Sequence, residues 1–379
     1  MTSERCSKAY ALGHWLCRPL VRLLFGFEAP QVPDVQGPVL VISNHTFDMD
    51  FTHLMGSFRK PMHFVIGEAL FRTGWLRSLL VWLHDPVILQ KEGTDARAAI
   101  DILHRLRKGH SVCLFAEGNT TFDGVTGRIP AGTSVLARAS GATLITYRLH
   151  GGYFSMPRWG RGIRKGRTWA EVAGVYPPDR LKAMTDQEVQ ALLVRDLRVD
   201  AAEDQGVNPI AYNGTDPAEG LENLLYLCPG CGQFGTLKGH KDQLSCRQCA
   251  LRVRYTPFGT LEGDAYAQLK EWAARQYEAL RRLAKDPSFA LTDTQQSLYR
   301  IDEAHERAHV GEGTLSLGHD GLSVGDFHVP LTDLTGVAVF RKNRLLFSVR
   351  DSTRYEVESP YVRSTYKYKQ LYELLTGKE

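Results

Sequence analysis

"GPVLVISNHTFDMD", residues 37–50, changes character halfway along. Val39, Leu40, Val41 and Ile42 follow Gly37-Pro38 as an unbroken apolar run and read as a buried strand. Asn44, His45, Asp48 and Asp50 come immediately after it. Polar, titratable residues where a core strand ends point to a site rather than to packing. His45 falls where the strand stops and a helix is expected to begin, at Phe47 or Asp48. Five residues of continuous helix would turn His45 and Asp50 about 140° apart. They meet only if His45 lies on the turn and Asp50 in the first helical turn. Asp50 then accepts a hydrogen bond from one ring nitrogen, and the other is left as a general base. Asp48 is expected to cap the new helix. Two other readings fit the same residues: a metal set from His45, Asp48, Asp50 and His53, and a plain helix-capping turn.

Outward from this stretch the pattern alternates. "MHFVIGE" (62–68), "DPVILQK" (85–91), "SVCLFAEG" (111–118) and "ATLITYRL" (142–149) read as further strands. "GWLRSLLVWL" (74–83), "TDARAAIDILHRLRKGH" (94–110, with Thr94 as N-cap) and 133–140 read as the helices between them. A last strand, a Pro-Pro stop and a helix follow over 172–200. Strand–helix alternation predicts an α/β domain.

A second strand end matters as much as the first. In "CLFAEGNTTFDG" (113–124) the strand runs into Glu117-Gly118. N-H-x4-D followed by a strand ending F-x-E-G resembles the glycerolipid acyltransferase family, the PlsC type of 1-acylglycerol-3-phosphate acyltransferase. The likeness covers roughly residues 10–200 and implies the α/β catalytic domain of that family. It also implies O-acyl transfer from acyl-CoA or acyl carrier protein to a hydroxyl of a lysophospholipid or glycerol phosphate. By the resemblance His45 and Asp50 are catalytic, and Glu117, with Gly118, Asn119 and Thr120, meets the acceptor. The chain departs from the family at three places. The arginine of F-P-E-G-T-R-S is replaced by Thr120. The F-I-D-R block is Val87-Ile88-Leu89-Gln90-Lys91, where Lys91 offers a point charge in place of a guanidinium fork. The third block is "LITYRLHGGYF". These departures leave room for a second reading, a catalytically inactive lipid or nucleic-acid adaptor on the same scaffold.

A basic loop is positioned to compensate. "PRWGRGIRKGR" (157–167) holds Arg158, Arg164 and Lys165 among glycines and Trp159. It is read as a phosphate or anionic-membrane contact; a solvated basic loop is the alternative. Arg148 and His150 are further candidates for the pocket wall.

No run reaches the roughly 18 apolar residues of a membrane span. "YALGHWLCRPLVRLLFGF" (10–27) mixes Trp15 and leucines with Arg18 and Arg22, the composition of a helix lying in a membrane interface. The formal charge of +4 on 379 residues is too small to mark a nucleic-acid binder. Four of the seven cysteines are clustered and three scattered, which is no secreted disulfide framework. The expectation is a cytoplasmic protein, peripheral on the inner face of the membrane.

The clustered cysteines are Cys228-x2-Cys231 and Cys246-x2-Cys249, fourteen residues apart. Two such knuckles resemble a zinc ribbon with a structural, four-thiolate Zn2+. Its basic residues leave nucleic acid open, but a scaffold or protein-contact role is the expectation. The organisation read from the chain is interface helices over 1–30, an acyltransferase domain over 31–215, a ribbon over 222–262, a helical linker over 263–308, and a small antiparallel β domain with a C-terminal helix over 309–379. The last loosely resembles a pleckstrin-homology domain.

Overall fold

The computed structural model describes residues 3–68, 85–89, 96–263, 266–302, 306–359 and 364–378. Lys91, Thr94 and the helix expected over 74–83 lie outside them. The described residues divide into two compact units, one running to Gly214 and one from Thr215 onward; residues 159–161 belong to the second.

The first unit is built on a six-stranded sheet. Its strands are β1 (Val39–Ser43), β2 (Met62–Gly67), β3 (Val87–Leu89), β4 (Ser111–Phe115), β5 (Thr143–His150) and β6 (Trp169–Tyr176), in the order β3-β2-β4-β1-β5-β6. All neighbours are parallel except β5–β6. The opening stretch supplies the strand between β4 and β5, all five residues of which are buried. Its side chains alternate between two cores, as the pleat requires. Leu40 and Ile42 pack with Val112, Leu144 and the helices Ala96–Arg107 and Asp186–Leu197. Val39 and Val41 pack with Cys113, Ile145, Val21 and Leu54. The pairing of Ser43 with Phe115 levels the C-terminal ends of β1 and β4, and β5, paired at Tyr147, runs on to His150 beside them. Ligand crevices of parallel sheets form at that end.

Helix α1 (Ser3–Phe25) lies on α2 (Asp50–Ser57). Tyr10, Val21 and Phe25 form its buried face. His14 Nδ1 contacts the Met55 carbonyl at 2.8 Å. Gly56 comes so close to α1 that a Cβ there would sit 3.3 Å from the Arg18 Cα, so a larger residue would force the helices apart.

In the second unit a four-stranded sheet, order β10-β9-β8-β7, carries the cysteines. Its strands are β7 (Leu237–His240), β8 (Gln243–Cys246), β9 (Arg252–Tyr255) and β10 (Leu261–Glu262). A seven-stranded antiparallel sheet follows. It comprises β11 (Ala290–Ile301), β12 (Arg307–Gly318), β13 (Gly321–Val324), β14 (Phe327–Pro330), β15 (Leu334–Phe340), β16 (Arg344–Val349) and β17 (Arg354–Glu358), in the order β14-β13-β12-β11-β17-β16-β15. The closing helix, Tyr366–Thr376, bonds to it through Tyr372 Oη to the Leu334 carbonyl and Tyr368 Oη to Asp293. The sheet begins about twenty residues before the expected 309. Within the expected helical linker, helix ends at Leu283 and β11 follows.

Candidate active site

The turn after β1 is held by side chains from the ends of β1 and β4 and from the first residue of α2. Asn44 binds the β5 backbone twice: Oδ1 accepts the Leu149 N–H at 2.8 Å and Nδ2 donates to the Leu149 carbonyl at 2.9 Å. The next three backbone N–H groups each meet a carboxylate. Glu117 Oε1 accepts from His45 N at 2.7 Å. Asp50 Oδ2 accepts from Thr46 N at 2.5 Å and from Phe47 N at 3.1 Å. Asp50, with no exposed surface, also accepts the Thr46 hydroxyl on Oδ1 at 2.8 Å.

The same Asp50 Oδ2 lies 2.9 Å from His45 Nδ1. A carboxylate surrounded by donors acts as acceptor, so Nδ1 carries the proton and Nε2 keeps its lone pair. The ring stacks on Phe115 with centroids 4.1 Å apart and planes 12° from parallel. It is 16% exposed, so the imidazole is shielded but reachable.

Glu117 is a brace between two loops. Its second oxygen accepts the Gly127 N–H at 2.6 Å. Burial pushes its pKa up to about 8, against the pull of the Gly127 and His45 N–H groups, with Asp50 and Asp123 adding to the rise. Gly118 follows with φ +68°, the left-handed region that glycine enters without strain. Asn119 is half-buried and Thr120 buried. The Thr120 carbonyl accepts from Arg158 Nη1 at 3.0 Å, and the guanidinium lies 4.2 Å over the Phe122 ring. Arg158 is therefore the positive group held against the loop whose expected arginine is missing.

Several expectations need correction. Asp48 caps nothing: it is exposed, α2 starts at Asp50, and no side chain caps that helix. His53 cannot join His45 on a metal. Its Nε2 faces the Thr168 hydroxyl at 3.0 Å, its ring is wedged against Phe27 and Phe47, and burial depresses its pKa to about 4. Trp159 does not reach a membrane surface: it has no exposed surface and packs edge-to-face on Tyr255. Arg164 is 1% exposed, which removes it from any surface phosphate contact; Lys165 is exposed. His150 and Arg148 are committed elsewhere, His150 to Asp204 at 2.7 Å and Arg148 to the Asp196 carbonyl at 2.7 Å and Glu171 at 3.0 Å. Gly127 and Phe115 were not singled out in the sequence. A strand residue two before a motif glutamate is the natural neighbour of the motif histidine, so Phe115 was findable; Gly127 had no local mark.

Among the described residues the set of side chains close enough to share a metal is Cys228, Cys231, Cys246 and Cys249, whose sulfurs all lie within 4.8 Å of one another. Cys228 and Cys249 are 3.6 Å apart, Cys231 and Cys246 3.8 Å. A tetrahedron with Zn–S bonds of 2.3 Å has edges of about 3.8 Å. The donor set therefore fits a four-thiolate zinc without rearrangement.

Residues 27–150 match the family model described as Acyltransferase. Over 139 residues the chain is 28% identical to the chloroplastic 1-acyl-sn-glycerol-3-phosphate acyltransferase LPAT1 of Arabidopsis thaliana, a match covering 35% of this chain and 37% of that protein. The chain thus spans little more than a third of the length of that relative. The crystal structure of PlsC, the 1-acyl-sn-glycerophosphate acyltransferase of Thermotoga maritima, aligns with a TM-score of 0.42 at 18% identity, over 50% of this chain and 78% of its own.

Proposed function

We propose that the chain, whose residues 27–150 match the family model described as Acyltransferase, is a glycerolipid O-acyltransferase acting at a membrane surface. The donor is a fatty acyl thioester, acyl-CoA or acyl carrier protein, and the acceptor is a hydroxyl of a lysophospholipid or glycerol phosphate. The observation that carries this reading is the 2.9 Å contact between His45 Nδ1 and a buried carboxylate already loaded with N–H donors. It leaves Nε2 as the proton acceptor. That nitrogen takes the hydroxyl proton as the acceptor oxygen attacks the thioester carbonyl. The tetrahedral intermediate then expels the thiolate, and the imidazolium returns its proton to sulfur, giving an ester and a free thiol. Asp50 stabilises the imidazolium in between, as the aspartate of a Ser-His-Asp triad does, with the substrate supplying the hydroxyl.

Acceptor phosphate is assigned to Arg158, in place of the arginine that Thr120 replaces. The support is its position against Thr120 and Phe122, on the loop that Glu117 ties to His45. Zn2+ on the four cysteines would act as a cross-link: four protein thiolates leave no open position for catalysis.

Membrane contact is assigned to α1. Among the described residues no helix is long and apolar enough to cross a membrane. Opposite its docked face α1 instead exposes Leu12, Trp15, Leu16, Leu20, Leu23 and Leu24, with Trp15 at 70% and Leu23 at 82%. Arg18 and Arg22 are exposed beside them. An apolar face edged by arginine and tryptophan suits the headgroup boundary where lysolipids reside.

The test is thiol release from acyl-CoA by the full chain, with glycerol 3-phosphate and a panel of lysophospholipids as acceptors. Turnover with one of them, abolished in His45→Ala, is the expected result. No turnover with any acceptor would sink the enzymatic reading in favour of an adaptor, and an unimpaired His45→Ala would remove the base.

A further inference from the structure

The second unit contains a cavity of about 370 Å³, a volume in the range of small-molecule sites. Glu222, Lys238, Arg247, Asp293, Gln295 and Lys367 stand in its wall, drawn from the short turn Leu221–Asn223, β7, the loop after β8, β11 and the closing helix. Three of these are cations and two are acids.

Both acids are already engaged. Glu222 Oε1 accepts from Lys238 Nζ at 2.8 Å, and its Oε2 accepts the Gly239 N–H at 3.0 Å. Asp293 Oδ2 accepts from Lys367 Nζ at 2.8 Å and from the Tyr368 hydroxyl at 2.9 Å, with Lys367 and Asp293 both buried. The third cation is different. The Arg247 backbone N–H is anchored to the Thr236 carbonyl at 2.9 Å, while its side chain is exposed and has no acidic partner among the described residues. The wall therefore carries a net positive charge, and the cation in it without an acidic partner among the described residues is a planar five-donor fork. Such a fork matches a phosphate geometrically as well as electrostatically. The β11 bulge adds a second mark. Gln295 sits in the left-handed region at φ +60°, where the register shifts between Asp293 and Gln296. A non-glycine residue in that conformation is costly, and here it turns a further polar side chain onto the same cavity.

We propose that this cavity binds a phosphate monoester, with Arg247 as the primary ligand and Lys238 as its support. The site is independent of the His45 centre and does not rest on acyl transfer. Two sources share this chemistry: a free phosphorylated metabolite, and the headgroup of a phosphatidate-type lipid.

Calorimetric titration of the full-length, zinc-loaded chain with glycerol 3-phosphate tests the first source. Co-sedimentation with phosphatidylcholine vesicles, with and without phosphatidate, tests the second. His45→Ala retains the binding; Arg247→Gln and Lys238→Gln each weaken it about tenfold or more, the usual consequence of losing a charge-assisted contact. Arg247→Lys recovers part of the loss. Unchanged zinc content in each variant shows that the ribbon is intact. Dependence on Arg247 in the titration identifies a soluble ligand, and the same dependence only on phosphatidate vesicles identifies the headgroup. Phosphate affinity that is absent, or indifferent to both Arg247→Gln and Lys238→Gln, overturns the proposal.

Discussion

Asp50→Asn separates the two jobs this carboxylate performs. Three N–H donors converge on Oδ2: His45 Nδ1, Thr46 N and Phe47 N. An asparagine in the same pocket must turn its carbonyl oxygen toward them, because an amide NH2 there would face donors only. Its NH2 then falls beside the Thr46 hydroxyl, which rotates to accept. The fold is kept, and so is the Nδ1–H tautomer of His45. What disappears is the negative charge opposite a developing imidazolium. A hydrogen bond to a charged group contributes about 1.5–3 kcal/mol. At roughly 1.4 kcal/mol per tenfold, kcat should fall about 10- to 150-fold. Removing the base itself, as in His45→Ala, costs more, on the order of 100- to 10,000-fold. Asp50→Ala combines the catalytic loss with a structural one, since two buried backbone N–H groups lose their acceptor at about 1–3 kcal/mol each. Steady-state thiol release alongside thermal unfolding distinguishes the cases. An asparagine variant as inactive as His45→Ala, or one equal to wild type, would refute the charge argument.

Glu117 makes stability depend on pH. Its folded pKa, about 8, lies above the unfolded value of 4.5, so the unfolded chain gives up the proton first. The contribution is fully present below pH 4.5 and is lost as pH rises through 8, with a slope of up to about 1.4 kcal/mol per pH unit. Denaturant titrations from pH 5 to 8 should show this slope reduced in Glu117→Gln; an identical slope in both proteins refutes it. The zinc proposed for the four cysteines should be lost on chelation or in Cys228→Ser, exposing residues 226–262 to limited proteolysis; metal analysis and mass spectrometry of the fragments check both. Leu20→Ser and Leu23→Ser should each weaken binding to lipid vesicles about tenfold while leaving the melting temperature near wild type, since both side chains are exposed. Vesicle binding unchanged in the double variant would remove the interface role of α1.

The legible parts of this chain are those where a period or a fixed offset carries the information. Val39–Ile42 announces a buried strand, and His45 with Asp50 can be paired from their spacing across a turn. Glu117 joins them for a topological reason. Parallel pairing matches Ser43 with Phe115, so the residues two beyond each, His45 and Glu117, arrive side by side. Irregular segments offer no such rule. The loop at 157–167 has the composition of a membrane contact, yet Trp159 and Arg164 are buried, and nothing in a non-periodic stretch says which way a side chain turns. Strand β11 was hidden by its bulge. Leu291 and Asp293 are buried, then Gln296 and Leu298, so the inserted residue shifts the alternation that would have marked a strand.

The turn also explains why a core strand should run straight into a histidine and, five residues on, a buried acid; exposed Asp48 has no part in it. A strand end exposes N–H groups that no ladder satisfies, and here His45, Thr46 and Phe47 present three in succession. Glu117 takes the first and Asp50 the next two, while the His45 carbonyl accepts the Thr121 N–H at 3.0 Å. The backbone of His45 is thus fixed on both sides by the one loop that follows β4, and Asp50 fixes its ring as well. Both acids bond to the histidine turn: they set where Nε2 stands, and much of their bonding capacity is already used there. Arg158, bonded to the Thr120 carbonyl, places a cation on the same loop, and the proposed function gives that cation the anionic acceptor.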